Sequence, residues 1–182
     1  MILHSISTDN ANIENKIKLR KMSIQGLDRV KVLDLFAGAN KIWSQIKTDR
    51  YYGIEREKGK GKNLYANNLK VIPSLDLSDF NVIDCDSYGI PFEQMESLYE
   101  NGTLQKGTVI IYTCISNAVS SMNGECLRQF KLDKMYKKSK VLINKLAIDY
   151  FFEMLRRNGV THVTEYENRT SFIKKYGFFK VA

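Results

Sequence analysis

Cysteine is scarce in this 182-residue chain, which has three: Cys85, Cys114 and Cys126. An odd number with no CxxC spacing argues against a disulfide framework and against a structural zinc site. A reducing, cytoplasmic setting is therefore expected. The two histidines, His4 and His162, lack a spacing that suits a metal or a catalytic triad. No apolar run approaches the ~18 residues of a membrane span. The opening MILHSISTDNANIENK has no charged segment followed by a long apolar core, so neither export nor a membrane partner is expected. The length favours one domain with a sizeable core.

Net charge is absent from most of the chain and concentrated in the rest. Residues Met1 to Cys126 hold 15 Lys+Arg against 15 Asp+Glu, whereas Leu127 to Ala182 hold 13 against 5, so the whole +8 lies in the last 56 residues. Such one-sidedness is the footprint of a face that binds a polyanion, here a nucleic acid held by residues 127–182. A solvated basic surface is the plainer alternative.

Glycine is sparse where a phosphate cradle would need it. Val30 to Phe36 is a short apolar run suited to a strand buried on both faces. Ala37-Gly38-Ala39 follows as a turn of minimal bulk, then a helix-like segment, then a second strand from Tyr51 to Ile54 that ends in Glu55. Strand, narrow turn, helix, strand and acid describe a nucleotide-type pocket at the carboxyl edge of a parallel sheet. A dinucleotide site wants G-x-G-x-x-G so that pyrophosphate can sit on backbone N–H groups. The run Gly38-Ala39-Asn40-Lys41-Ile42-Trp43 has one glycine. Downstream, Lys58-Gly59-Lys60-Gly61-Lys62 lacks the spacing of a phosphate loop and reads as a solvated turn.

The stretch VLDLFAGAN resembles the first motif of class I S-adenosylmethionine-dependent methyltransferases, with Asn40 where the second glycine usually stands. That cofactor carries no phosphate and needs a narrow turn and a carboxylate for its ribose. The resemblance implies a Rossmann-like α/β fold, a mostly parallel sheet with a C-terminal antiparallel hairpin. It also implies S-adenosyl-L-methionine as cofactor, contacted by Asp34, Phe36, Gly38, Asn40, Glu55, Asp76 and Asp84. Residues 1–28 are then a helical, basic extension, and 29–182 are the cofactor-binding domain. The extension carries Asp9 or Asn10 as helix cap and a thin stripe of Ile13, Ile17 and Ile24.

Residues 63–69 read as a helix and Val71 to Ser74 as a third strand, with Asp76 just beyond it. Leu75-Asp76-Leu77-Ser78 fits a helix-capping turn equally well. Phe80 to Asp84 is the fourth strand, running into Asp84-Cys85-Asp86-Ser87-Tyr88-Gly89. Two acids this close at the end of an apolar strand are costly to bury without partners, so they are expected to face a site or solvent. The pattern resembles the D-P-P-[YF] motif of base amino-group methyltransferases, and more closely the D-x-D-P-[FY]-G motif of tRNA guanine dimethyltransferases. Asp86, Tyr88 and Gly89 match, and Ser87 replaces proline. The resemblance implies that Asp86 and Tyr88 are catalytic, Asp86 accepting from an amino group and Tyr88 holding the base plane. Alternatively, Asp86 caps the following helix and Tyr88 packs on the surface.

Phe92 to Tyr99 reads as a helix and Gly107 to Ile115 as the fifth strand. Cys114 on that strand opens a rival chemistry, attack on a pyrimidine ring by a thiolate, which requires a depressed cysteine pKa. Asn117 to Lys140 is a polar, lysine-rich insertion in which Phe130 and Tyr136 suit base stacking or anchoring. Residues 141–157 have helical periodicity. Thr161 to Tyr166 and Ser171 to Val181 alternate as two strands joined by Glu167-Asn168-Arg169-Thr170. Methylation of a small molecule or a protein, or binding without catalysis, is the competing function. Monomer and homodimer are both open.

Overall fold

The computed structural model describes residues 12–60, 64–116, 127, 130–169 and 173–182. A seven-stranded sheet in the order β3-β2-β1-β4-β5-β7-β6 organises them. Its strands are β1 (Lys31–Asp34), β2 (Arg50–Glu55), β3 (Leu64–Tyr65), β4 (Val82–Cys85), β5 (Val109–Ser116), β6 (Thr164–Arg169) and β7 (Ile173–Lys180). Strands β3, β2, β1, β4 and β5 are parallel, whereas β7 runs antiparallel to β5 and β6 antiparallel to β7. Val32-Leu33, Val82-Ile83 and Ile110-Ile111 are buried with neighbours on both sides, which is why these central strands are continuous apolar runs. The strand order reverses between β1 and β4. The crevice outside their carboxyl ends is therefore the place where an open sheet of this kind binds ligands.

Alternation gives the sheet two faces. One carries Leu33, Ile83, Ile110 and Tyr112 under α2 (Asn68–Val71), α3 (Phe92–Glu100) and α6 (Ala147–Arg157). In α6, Ala147, Ile148, Phe151, Met154 and Leu155 are buried at helical spacing. The other face carries Val30, Val32, Val82, Val109 and Ile111, covered by Leu19 of α1 (Ile13–Ser23) together with Trp43 and Ile46. Followed towards the carboxyl edge with the period of two, this second face changes character. Val32 gives way to Asp34, Val82 to Asp84 and Asp86, and Ile111 to Thr113. Apolar packing thus ends in a cluster of acids.

Several expectations are corrected. A short 3-10 turn, Trp43–Gln45, stands where a helix was expected between β1 and β2. Leu19, Trp43 and Ile46 already fill the apolar layer on that face, so the crossover closes without a longer helix. The third strand is Leu64–Tyr65, and residues 68–74 are helical, as α2 and a following 3-10 turn. Asn67 starts α2 by accepting the Leu69 N–H, and the apolar Val71-Ile72 pair packs under α3 rather than pairing as a strand. Residues 140–157 form two helices, α5 (Lys140–Lys145) and α6, separated at Leu146, after α4 (Asp133–Lys138). Strand β6 begins at Thr164 rather than Thr161 and continues through Glu167, Asn168 and Arg169, which were expected in the connection. The hairpin's connecting residues 170–172 lie outside the described residues, as do Asp9, Asn10, Cys126 and much of the 117–140 insertion. Among the described residues, no helix is long and apolar enough to cross a membrane, and no cluster of three potential ligands could hold a metal.

Candidate active site at the carboxyl edge of the sheet

The turn after β1 is hung between two neighbouring strands. Leu35 N–H donates to the Asp84 carbonyl (2.9 Å) and Ala37 N–H to the Ile54 carbonyl (3.0 Å). Gly38 (φ 53°) and Asn40 (φ 55°) both adopt the left-handed conformation. Asparagine is among the few side-chain-bearing residues that enter this region readily, so Asn40 preserves a turn that a second glycine would otherwise make. Its N–H closes the turn on the Ala37 carbonyl (2.8 Å). Its Oδ1 is buried without a hydrogen-bond partner among the described residues, an orphaned acceptor that a bound donor would satisfy.

Glu55 reaches this turn from the end of β2. Gly38 N–H donates to Glu55 Oε2 (2.8 Å) and Glu57 N–H to Oε1 (2.9 Å), so among the described residues each oxygen has one donor and keeps a lone pair for another. Two acceptor oxygens side by side suit a ribose diol, and the Asn40 oxygen suits an ammonium. These residues fit S-adenosylmethionine.

Beyond the turn lies a network that links three acids to α1. Arg20, 1% exposed, donates from Nε and Nη2 to Asp84 Oδ2 and Oδ1 (2.7 and 3.0 Å) and from Nη2 to Asp86 Oδ2 (3.2 Å). Trp43 Nε1 adds a bond to Asp84 Oδ2 (2.7 Å). Lys16, one helical turn before Arg20, donates to both oxygens of Asp86 (2.9 and 2.8 Å), and Thr113 Oγ1 donates to Asp86 Oδ1 (2.7 Å). Asp34 accepts from Phe36 N–H and from the Tyr51 hydroxyl, both at 3.1 Å.

The protonation states follow from these partners. Burial alone would favour a neutral Arg20, but Asp84 and Asp86 hold it charged above its ordinary range. Burial also works against the Asp86 carboxylate, yet Arg20, Lys16 and Thr113 hold its pKa below the ordinary value. For Asp84, burial outweighs Arg20 and raises the pKa. Even so, its bidentate guanidinium and its indole partner are all donors, an arrangement that a carboxylate satisfies. Burial and the facing Asp84 push Asp34 well above the ordinary value. Three acids against two cations balance when Asp34 keeps its proton.

A stability prediction follows for Asp34. Its raised folded-state pKa means that the native state holds a proton which the unfolded chain releases. Stability is therefore lost as pH rises from the ordinary carboxylate value towards the raised one. Asp34→Asn, a neutral isostere, should remove that loss and be more stable than the wild type near neutrality. Urea unfolding of both proteins from about pH 4 to about pH 8 measures the difference. A variant less stable at neutral pH would show a charged Asp34.

The loop after β4 is fixed by hydrogen bonds where a proline was expected. The Ser87 hydroxyl donates to the Thr113 carbonyl (3.1 Å) and lies 3.3 Å from that of Gly89, and Ser87 N–H donates to the Cys85 carbonyl (2.8 Å). Ile115 N–H then binds the Gly89 carbonyl (2.8 Å). This pins the loop to β5 and presents Tyr88, 72% exposed, beside Asp86, 14% exposed.

The chain matches no protein-family model, and no curated protein matches it significantly in sequence. Its fold does have counterparts. A SAM-dependent methyltransferase from Archaeoglobus fulgidus superposes with a TM-score of 0.55 at 12% identity, over 92% of this chain and 94% of that one. The N-methyltransferase NodS from Bradyrhizobium japonicum gives 0.54 at 12% identity over 94% and 98%. HI0767 from Haemophilus influenzae, described as a methylase, gives 0.54 at 13% over 92% and 96%. The chain has the Rossmann-like fold of S-adenosylmethionine-dependent methyltransferases. At these identities the likeness is one of fold.

On this sheet the expected site residues separate into three groups. Gly38, Asn40 and Glu55 meet at the turn, and Phe36 sits half-buried beside it, packed on the core. Asp34 (6% exposed) and Asp84 (1%) are internal, their oxygens engaged by the protein. Asp76 is not at the end of a strand: it caps the 3-10 turn Leu77–Asp79, accepting from Ser78 N–H and Oγ (3.0 and 2.6 Å). Cys114 is buried, and burial raises its thiol well above the ordinary value, the reverse of what a nucleophile needs. Arg20, Lys16, Trp43, Tyr51 and Thr113 were not anticipated. The one sequence signal, for Arg20 and Lys16, was the need of Asp84 and Asp86 for counter-charges.

Proposed function

We propose that the protein is an S-adenosylmethionine-dependent methyltransferase that acts on nucleic acid at the amino group of a base. The observation that carries this reading is the Asp86–Gly89 loop, with an acid and an exposed tyrosine two residues apart at the carboxyl end of β4. Gly38, Asn40 and Glu55 bind the cofactor, which supplies a methyl group on a sulfonium. The exocyclic nitrogen of a base is a weak nucleophile because its lone pair is delocalised into the ring. Asp86, accepting its N–H, would draw that lone pair towards the methyl group. The N–C bond forms as the sulfonium S–C bond breaks to leave a thioether, and the nitrogen's proton passes by way of Asp86 to water. Tyr88 would stack on the base for a gain of about 1–3 kcal/mol. Much of the acceleration then comes from holding the reactants in line.

Several cations can hold the phosphates. Lys131, Lys134, Lys137, Lys138 and Lys140 are exposed around α4, and Lys18 and Lys21 are exposed on α1. On β7, Lys174 and Lys175 lie opposite Ile115 and Cys114, towards the carboxyl edge. The extension 1–28 belongs functionally with the domain 29–182, because it brings Arg20 and Lys16 to the acids.

The test is transfer of labelled methyl from S-adenosylmethionine to RNA or DNA, read as modified nucleosides by mass spectrometry. Transfer should fall at least about tenfold between ~50 and ~200 mM salt at sub-saturating nucleic acid. Salt-independent transfer, or transfer to small molecules alone, would contradict the reading.

A further inference from the structure

Asp86 is the acceptor that the proposed reaction needs, and its carboxylate is fully engaged. A carboxylate offers about four lone-pair sites. Four contacts already fill them: two from Lys16, one from Thr113 and one from Arg20. A base amino group can be accepted there only if one donor leaves.

The three donors differ in freedom. Arg20 is 1% exposed and clamped to Asp84, and Thr113 sits within β5. Lys16 is 18% exposed, and its ammonium ends a flexible stem between Asp86 and the ring of Tyr176, 5.5 Å from the ring centroid. It is the donor able to leave. Departure into water would leave the largely buried Asp86 short of counter-charge. Departure to an anion exchanges one charge-assisted pair for another. Opening is therefore favourable when the molecule that brings the amino group also brings a negative oxygen to the rim between α1 and β7.

We propose that Lys16 is a specificity-determining residue: it releases Asp86 to a base whose own phosphate takes the ammonium, so nucleotides and polynucleotides are methylated in preference to bare nucleosides. The inference rests on the reading of Asp86 as the amino-group acceptor.

The test measures kcat/KM for the four ribonucleosides, their 5′-monophosphates and mixed-sequence oligonucleotides, with wild type, Lys16→Met, Lys16→Gln and Lys16→Arg. Thermal unfolding of each variant confirms its fold. The wild type should prefer the phosphorylated acceptors by about tenfold or more, the size of one charge-assisted hydrogen bond. In Lys16→Met and Lys16→Gln the preference should shrink to within about twofold, through faster nucleoside transfer as well as slower nucleotide transfer. Lys16→Arg should retain it. An unchanged preference in the neutral variants, or an equal loss for both acceptor types, would overturn the proposal while leaving the amino-group reading standing. Added inorganic phosphate that brings nucleosides up to the nucleotide rate would overturn the assignment of the anion to the substrate. A wild type that methylates no acceptor would remove both readings.

Discussion

Replacing Arg20 with methionine is expected to lower the unfolding free energy by about 3–5 kcal/mol, and the melting temperature by about 10 °C. The guanidinium is 1% exposed and bridges two acids two residues apart, Asp84 in β4 and Asp86 just beyond its end. Methionine keeps most of the volume and the helix propensity, so packing is a minor part of the effect. What is lost is the partner of a carboxylate that is itself 1% exposed, and an uncompensated buried charge is the expensive product. The double variant Arg20→Met, Asp84→Asn should therefore recover part of the loss, because it removes the stranded charge as well. Differential scanning calorimetry of the two single variants and the double variant measures the coupling. Additive losses would mean that Arg20 stabilises through packing alone.

Asp86→Asn should reduce methyl transfer by about a hundred- to a thousandfold while leaving S-adenosylmethionine affinity within about twofold. The two effects separate because Asp86 lies on the loop after β4, whereas Gly38, Asn40 and Glu55 meet at the turn between β1 and β2. Asparagine keeps the shape and one acceptor oxygen, so the loop, pinned by Ser87 and Gly89 to β5, remains in place. Its amide cannot draw on a base amino group as a carboxylate does. Single-turnover kinetics with labelled cofactor, with binding measured separately, reads both quantities. Loss of cofactor affinity together with transfer would make Asp86 a structural member of the network.

What could be read from the residues follows the range of the interactions involved. The β1 strand, its narrow turn and Glu55 lie close together in the sequence and depend on local pattern, and the structure joins them through the Gly38–Glu55 bond. The final hairpin was visible because alternation over β6 and β7 is a local signal as well. Asn40 looked like a departure from the glycine pattern, and its left-handed backbone shows how the turn accommodates it. The network was not legible. Arg20 is separated from Asp84 by 64 positions, and nothing in the polar sequence of α1 distinguishes a buried arginine from its exposed neighbours. Trp43 lies in a segment whose sequence reads as helix-like, which does not single out its indole as a partner of Asp84. The Val71-Ile72 pair satisfied a strand pattern and a buried helical turn equally well, and tertiary packing under α3 decided it.

The proposed function requires the turn at Gly38–Asn40 and the carboxylate of Glu55 to hold the cofactor. Isothermal calorimetry with S-adenosylmethionine tests it most directly, on the wild type and on Glu55→Gln with its fold checked by thermal unfolding. The expected result is saturable binding to one site per chain with Kd below about 0.1 mM, weakened about tenfold or more in the variant. No binding to the folded wild type at about 1 mM cofactor would contradict the account.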